Sequence, residues 1–362
     1  MYIHRMENGQ TVKDVARHYG VDEDILRMNN SLAEGEPAIG EELLILTPTR
    51  TYTVRRGDSA ERLALRFGIM RRDIFALNPT VSSEGLPVGK RIALKYGERK
   101  YGAGCALGYF YSGGDINALR ERLPLITYLA VAAAILDHGR LSRIFDGRDA
   151  VGLVRGADKT PLLRIYARNG GYRTGDEDEL TENMLYAAIS GGYKGLVLGG
   201  EAPGEELLMK LRRKMIGSDL ILFTEITGSS EAYLSELADG SVLASPDSGD
   251  GCADALHRFA TRCESNRCLP ELPCFALCGE SYIPTADALL LARRGGYAID
   301  HADGKCRFIH KRNGEYIFPS LESIKAKLEA VHEYGYMGIS YDISRVPTAY
   351  LMMFEALFGS RG

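Results

Sequence analysis

The N-terminal part of the chain carries the same unit twice, and a repeat of that kind sets the domain map before any single motif is read. Gly9-Gln10-Thr11 and Val15-Ala16-Arg17-His18-Tyr19-Gly20-Val21 recur 48 residues on as Gly57-Asp58-Ser59 and Leu63-Ala64-Leu65-Arg66-Phe67-Gly68-Ile69. The opening Tyr2-Ile3-His4-Arg5 is matched with Tyr52-Thr53-Val54-Arg55. One extra residue in the second copy then pairs Asp24-Ile25 with Asp73-Ile74, Met28-Asn29 with Leu77-Asn78, and Ile39-Gly40 with Val88-Gly89. Each copy reads strand, glycine turn, helix, helix, strand. Val12, Val15, Ala16 and Tyr19 stand at helical spacing, and Gly20 is placed to cap that helix. A second short helix over 23–28 and a strand over 43–46 complete the unit.

About 260 residues follow Tyr101, close to the size of a barrel of eight strand-helix units. Short apolar runs at 105–110, 126–132, 162–167, 195–198, 220–223, 242–244, 274–277 and 338–341 are the strand candidates. Amphipathic stretches such as 181–190, 204–215, 251–264 and 320–334 lie between them. The alternation predicts an α/β class, (β/α)8 TIM barrel preceded by two small α+β (βααβ) domains. The expected boundaries are 1–48, 51–95 and 101–362. Near 297–318 the rhythm breaks, and Asp303-Gly304 before alternating Arg307-Phe308-Ile309-His310 predicts an inserted hairpin.

Charge and composition exclude several partners. Forty-four Lys plus Arg against 48 Asp plus Glu give a net charge of −4, so no global field would hold the chain on nucleic acid or an anionic membrane. The longest apolar stretch, 123–136, is interrupted by Pro124, Thr127 and Tyr128 and is too short for a bilayer. After Met1 no basic segment leads into an apolar one, so a secretory signal is not expected in the chain as given, unless the sequence begins after a processed segment. There is no Trp, although sugar clefts commonly use a large aromatic face. Cys105, Cys252, Cys263, Cys268, Cys274, Cys278 and Cys306 read as reduced, mostly buried thiols. Their gaps lack the paired C-x2-C knuckles of a zinc site, and His138, His301 and His310 have no ligand spacing, so no metal is expected. No phosphate-cradling glycine loop is present, and no cofactor is expected.

Both N-terminal units resemble LysM domains, whose pattern is Y-x-V, G-D-[ST], a helix ending [YF]-G-[VI], a buried Asn, and a closing V-G-x-x-L-x-I. The second copy follows that pattern; in the first, Gln10 stands at the Asp. The resemblance implies binding of β-1,4-linked N-acetylglucosamine polymers, peptidoglycan or chitin, between the turn after the first strand and the turn after the second helix. Carried over, this points to Gly9, Gln10, Thr11, Asn29, Asn30 and Ser31, and to Gly57, Asp58, Ser59, Asn78, Pro79 and Thr80. Asp58 and Ser59 also suit a helix N-cap. Two weak sites on one chain would raise avidity for a repetitive polymer.

The stretch Gly192 to Pro203 is similar in frame to the D-G-x-D-x-D-x-E strand of glycoside hydrolase family 18, and Met337 to Asp342 with Ser320 to Lys327 resembles the closing segment of that family. The resemblance implies a substrate-assisted glycosidase in which the final Glu is the general acid and the Asp two residues earlier aims the substrate N-acetyl group. Glu201 stands at the acid; Lys194, Val197 and Gly199 stand where the three Asp belong. A Tyr expected on strand six is missing from 242–247, and Asp342, beside Tyr341 as a candidate sugar contact, replaces the expected Trp. Tandem LysM domains before such a barrel are the arrangement of spore-cortex N-acetylglucosaminidases, which implies the spore coat, cortex or cell wall. The missing roles predict a barrel without turnover, since losing one positioned group typically costs a hundredfold or more. The alternative is a diverged glycosidase in which Glu225, Asp247 or Asp342, at strand ends, assists Glu201. A third reading is a coat component with spore coat proteins as partners, crosslinked through cysteines 252–278.

Overall fold

Local capping chemistry starts and stops the first helices where the repeat places them. The computed structural model describes residues 1–32, 35–79, 81, 85–97, 101–172, 176–228, 231, 234–244 and 252–359. The first repeat is β1 (Tyr2–Arg5), α1 (Val12–Tyr19), α2 (Glu23–Asn29) and β2 (Glu42–Ile45); the second is β3 (Arg50–Thr53), α3 (Ala60–Phe67), α4 (Arg71–Ala76) and β4 (Arg91–Lys95). Thr11 and Asp14 form a reciprocal capping box on α1. Ser59 accepts the Arg62 N–H on α3, and Gly20 and Gly68, at φ 64° and 65°, close the two helices.

Register differs from the sequence pairing in two places. The buried equivalents at the end of the opening strand are Met6 and Val54, whose N–H groups reach Glu41 O and Lys90 O. His4, not Tyr2, is therefore the counterpart of Tyr52. Likewise Asn30, not Asn29, is the counterpart of Asn78. The Asn30 amide donates to Leu26 O and Leu44 O and accepts the Leu44 N–H; Asn78 does the same with Ile74, Ala93 and Ala93. The extra residue of the second copy thus falls after Asn78.

The larger part continues with β5 (Cys105–Phe110), α5 (Ile116–Arg122), β6 (Tyr128–Asp137), β7 (Arg140–Arg143), α6 (Arg148–Gly156), β8 (Thr160–Arg168), α7 (Glu177–Ser190), β9 (Gly195–Gly200) and α8 (Glu205–Met215). Then come β10 (Ile221–Ile226), α9 (Leu234–Leu237), β11 (Gly240–Leu243), α10 (Cys252–Ala260) and β12 (Cys268–Pro270). The chain ends with β13 (Phe275–Cys278), β14 (Ser281–Pro284), α11 (Thr285–Gly295), β15 (Asp300–Ala302), β16 (Lys305–His310), β17 (Gly314–Pro319), α12 (Leu321–Glu333), β18 (Gly338–Asp342) and α13 (Thr348–Leu357).

Eight parallel strands lie in the order β12-β11-β10-β9-β8-β6-β5-β18, with β7 folded back antiparallel on β6. A parallel bridge between Glu271 and Ser340 returns β12 to β18, and the Leu272 N–H reaches Ser340 O at 2.8 Å. This is a nearly closed TIM barrel. Its interior is filled by Leu107, Ala130, Leu162, Val197, Phe223, Val242 and Leu269.

The seventh strand corrects the sequence reading. It is Cys268–Pro270, paired with β11, and the apolar run at 274–277 belongs to a five-stranded antiparallel sheet, β14-β13-β17-β16-β15. The insertion therefore spans β13 to β17 with α11, well beyond a hairpin at 297–318. A three-residue strand ending in proline leaves no periodic trace, whereas Phe275-Ala276-Leu277 does. Ala276, Ala288, Ala292, Ile299, Phe308, Tyr316 and Phe318 form the core of the insertion, joined by Ala38 from the first repeat. The first repeat docks there: the Ile299 N–H reaches Ile39 O at 2.8 Å, and buried Glu41 receives Arg293 Nη2 at 2.5 Å.

Candidate functional site

Period-two alternation carries the barrel interior upward into a polar layer at the C-terminal mouth. One step above the inward side chains stand Tyr109 after Leu107, Arg164 after Leu162, Gly199 after Val197, Glu225 after Phe223, Glu271 after Leu269 and Asp342 after Ser340. Arg164 Nε and Nη2 bind the two oxygens of Glu225 at 2.6 and 2.9 Å. The Tyr109 hydroxyl donates to Glu225 Oε1 at 2.9 Å. Tyr109, Tyr111 and Tyr166 surround the guanidinium at 5.3, 5.7 and 5.0 Å from their ring centres. Burial opposes the charge on Arg164, yet its bonds to Glu225 hold its proton more firmly than in an ordinary arginine. Burial, and then the neighbouring Glu225 carboxylate, push the Tyr109 phenol up.

The glycine at position 199 is what makes room for this pair. A Cβ there would lie 1.9 Å from Glu225 Oε2. Glu225 thus fills the volume above strand β9 that an aspartate at 199 would claim. The adjacent acid is Glu271, whose carboxyl is pushed up to about 7, first by burial and then by Glu225 and Asp342, with Lys327 and Arg164 opposing. Its own N–H is held by Leu243 O, and the buried Lys327 ammonium donates to its carbonyl. Asp342 is also raised by burial against the pull of Arg345; it accepts the Ser344 N–H at 2.9 Å and faces Arg345 Nε at 3.2 Å.

Of the sequence-predicted acids, Glu225 and Asp342 both stand at the mouth near Glu271, and Glu201 bonds elsewhere. Gly200, at φ 84°, turns the chain as β9 ends, and a Cβ on it would lie 2.1 Å from Ala167 O. Glu201 is exposed, and its carboxylate accepts the Gly170 N–H at 2.9 Å. Asp247 lies outside the described residues. The sequence reading misses Glu271 because it starts the strand at 274, six residues after Cys268; the signal is an acid immediately after Cys268-Leu269-Pro270. Tyr341 is a correction. The same alternation that turns Ser340 and Asp342 inward turns it outward into the core, fully buried, with its hydroxyl donating to Leu125 O.

In the repeats, Gly9 and Gly57 are turn glycines at φ 77° and 89°. Gln10 Oε1 accepts the Glu7 N–H and meets His4 Nε2, while Thr11 caps α1. Asp58 accepts the Tyr52 hydroxyl and the Arg55 N–H, which hold its carboxyl below the ordinary range, the backbone bond contributing most. Ser59 caps α3. Asn30 and Asn78 are spent on their own closing strands, and buried Asn29 donates to the Tyr96 hydroxyl of the second repeat. Pro79 lines a cleft with Asp24, Arg27, Ser31, Pro87 and Thr348, between both repeats and the barrel. Ser31 bonds Thr348, so this edge of the first repeat leans on α13. Thr80 lies outside the described residues. Among the described cysteines, Cys105, Cys268, Cys274 and Cys306 are buried.

Residues 52–95 match the family model of the LysM domain. Over 178 residues the chain is 31% identical to "Putative sporulation-specific glycosylase YdhD" of Bacillus subtilis (strain 168), a match covering 48% of this chain and 42% of that protein. The spore cortex-lytic enzyme SleL of Bacillus cereus superimposes with a TM-score of 0.73 at 17% identity, over 100% of this chain and 99% of its own. A chitinase of Chromobacterium violaceum superimposes with a TM-score of 0.60 at 17% identity, over 70% of this chain and 99% of its own. The chain therefore contains a LysM domain at 52–95 and has the barrel fold of these hydrolases. No helix among the described residues is long and apolar enough to cross a membrane.

Proposed function

We propose that this chain binds β-1,4-linked N-acetylglucosamine polymers of the spore or cell wall through its LysM module, and that its barrel is a noncatalytic counterpart of the hydrolases sharing its fold. The observation that supports this reading is the Arg164–Glu225 pair above Gly199. A carboxylate does occupy the volume where the family pattern needs an aspartate to aim the reacting amide. It is pinned by a bidentate guanidinium and a phenol, which take three of the roughly four acceptor positions of a carboxylate, and so is committed to structure and not left to steer a substrate. Glu201, exposed and bonded to Gly170, is an acid without that partner. The first repeat shares the strand-helix-helix-strand order and is read as a second LysM unit, its loop edge committed to the barrel. Buried thiols speak against coat crosslinking through Cys105, Cys268, Cys274 or Cys306.

The test is a co-sedimentation of the full chain with insoluble chitin and with cortex peptidoglycan, competed by soluble N-acetylglucosamine oligomers. Retention on either polymer, released by oligomer and without product in the supernatant, supports the reading; failure to bind both polymers overturns it. A second reading, hydrolysis with Glu271 as proton donor, is favoured by its carboxyl at about 7, a value suited to an acid at neutral pH. It requires a rate that falls as pH rises through that value and disappears in Glu271→Gln.

A further inference from the structure

Where the first repeat meets the inserted sheet, three side chains of different chemistry converge. Glu42 opens β2, His301 lies on β15, and Cys306 lies opposite His301 in the β15–β16 ladder. His301 Nδ1 is 3.2 Å from Glu42 Oε1 and 3.6 Å from Cys306 Sγ. All three donor atoms lie within 4.8 Å of one another. A tetrahedral zinc, with bonds of about 2.0 Å to N and O and about 2.3 Å to S, sets its N and O ligands about 3.3 Å apart and its N and S ligands about 3.5 Å apart. The two separations, 3.2 and 3.6 Å, lie within about 0.1 Å of those figures.

The surroundings are those of ligands already oriented. His301 Nε2 lies 2.6 Å from the Gly40 carbonyl, which leaves Nδ1 as the lone-pair nitrogen facing the other two donors. The second oxygen of Glu42 accepts the Leu321 N–H at 2.6 Å. His301 and Glu42 side chains are only 9% and 5% exposed, and Cys306 is buried. Without a metal, the same contacts require the imidazole to carry a second proton, with Nδ1–H donating to Glu42 and Nε2–H to Gly40; burial opposes that charge and the two bonds favour it. A cavity of about 100 Å³ has Glu42 and Cys306 in its lining. The charged groups facing the cluster are Arg5, with Nη2 at 3.6 Å from Glu42 Oε1, and Glu41, which is taken up by Arg293.

We propose that Glu42, His301 and Cys306 bind one Zn²⁺, which pins the first repeat to the inserted sheet. Imidazole with thiolate selects a borderline metal over Mg²⁺ or Ca²⁺. On binding, the Cys306 S–H proton is released to solvent and the thiolate, carboxylate and neutral imidazole fill three positions. The experiment is titration of the chelator-treated full chain with Co²⁺ as spectroscopic probe, followed by Zn²⁺. One Co²⁺ per chain is expected, with a thiolate-to-cobalt charge-transfer band and tetrahedral ligand-field bands, all displaced by Zn²⁺. The band is expected to vanish in Cys306→Ser and His301→Gln and to persist in the Cys263→Ser, Cys268→Ser chain, whose thiols form the other close pair. No thiolate band in the wild-type chain, or a band that survives Cys306→Ser, overturns the site. The wild-type spectrum decides the matter even where a variant fails to fold.

Discussion

Gly199, Glu225 and Arg164 pack as one unit, and the unit predicts that an aspartate placed at 199 alone destabilises the chain. Gly199→Asp returns the aspartate of the hydrolase pattern but drives it into Glu225 Oε2. A second carboxylate beside a pair already closed is an uncompensated buried charge, costing about 3–5 kcal/mol. Denaturant melts should show that loss, and Glu225→Ala in the same chain should return much of it because it vacates the space. Glu271 makes a pH prediction. In the unfolded chain it titrates near its ordinary 4.5, and in the native mouth at about 7. Between those values the native state holds the additional proton, so this group's contribution falls as pH rises from about 4.5 to about 7 and is constant above. Asp342, raised by burial, adds a slope of the same sign. Glu271→Gln keeps the neutral shape and should flatten the melting temperature across that window; an unchanged slope would assign it elsewhere.

At the level of elements, the contact between the first repeat and the insertion depends on Gly40. Its φ of 79° and the Ile299 carbonyl, 1.9 Å from where a Cβ would stand, both exclude a side chain. Gly40→Ala should cost at least about 1–3 kcal/mol of backbone strain and raise hydrogen exchange in β1, β2 and β15 while leaving the barrel strands protected. Equal exchange in both chains would contradict the docking. The repeat was legible because its signals are local: Gly20 as a cap, Asp58 and Ser59 suited to an N-cap, Val15 and Leu63 at matching apolar positions. Seven of the eight barrel strands were legible for the same reason, each carrying an apolar run. The seventh was not, because a three-residue strand is specified by its neighbours β11 and β18 and not by its own pattern. That slip concealed Glu271 and joined the inserted sheet to the barrel. Tyr341 was misread as a sugar contact because its face depends on which of Ser340 and Tyr341 points inward, which one residue of register decides.

Across the whole molecule, a LysM domain sits beside a barrel of hydrolase fold, and the two make different demands on their residues. The LysM turn at Gly57 and Asp58 is held by local geometry alone, a positive-φ glycine and the bonds of Asp58 to Tyr52 and Arg55. The mouth of the barrel needs several strand ends to agree, and they have agreed on an ion pair. On the proposed reading, polymer retention and chemical turnover are separable in this chain. The most direct measurement is the release of soluble sugar from N-acetylglucosamine oligomers and from purified cortex fragments by the full chain, followed by mass spectrometry. A silent barrel leaves product at the level of the protein-free blank while the polymer is still bound. Product above that blank, abolished by Glu201→Gln or Glu271→Gln, would contradict it.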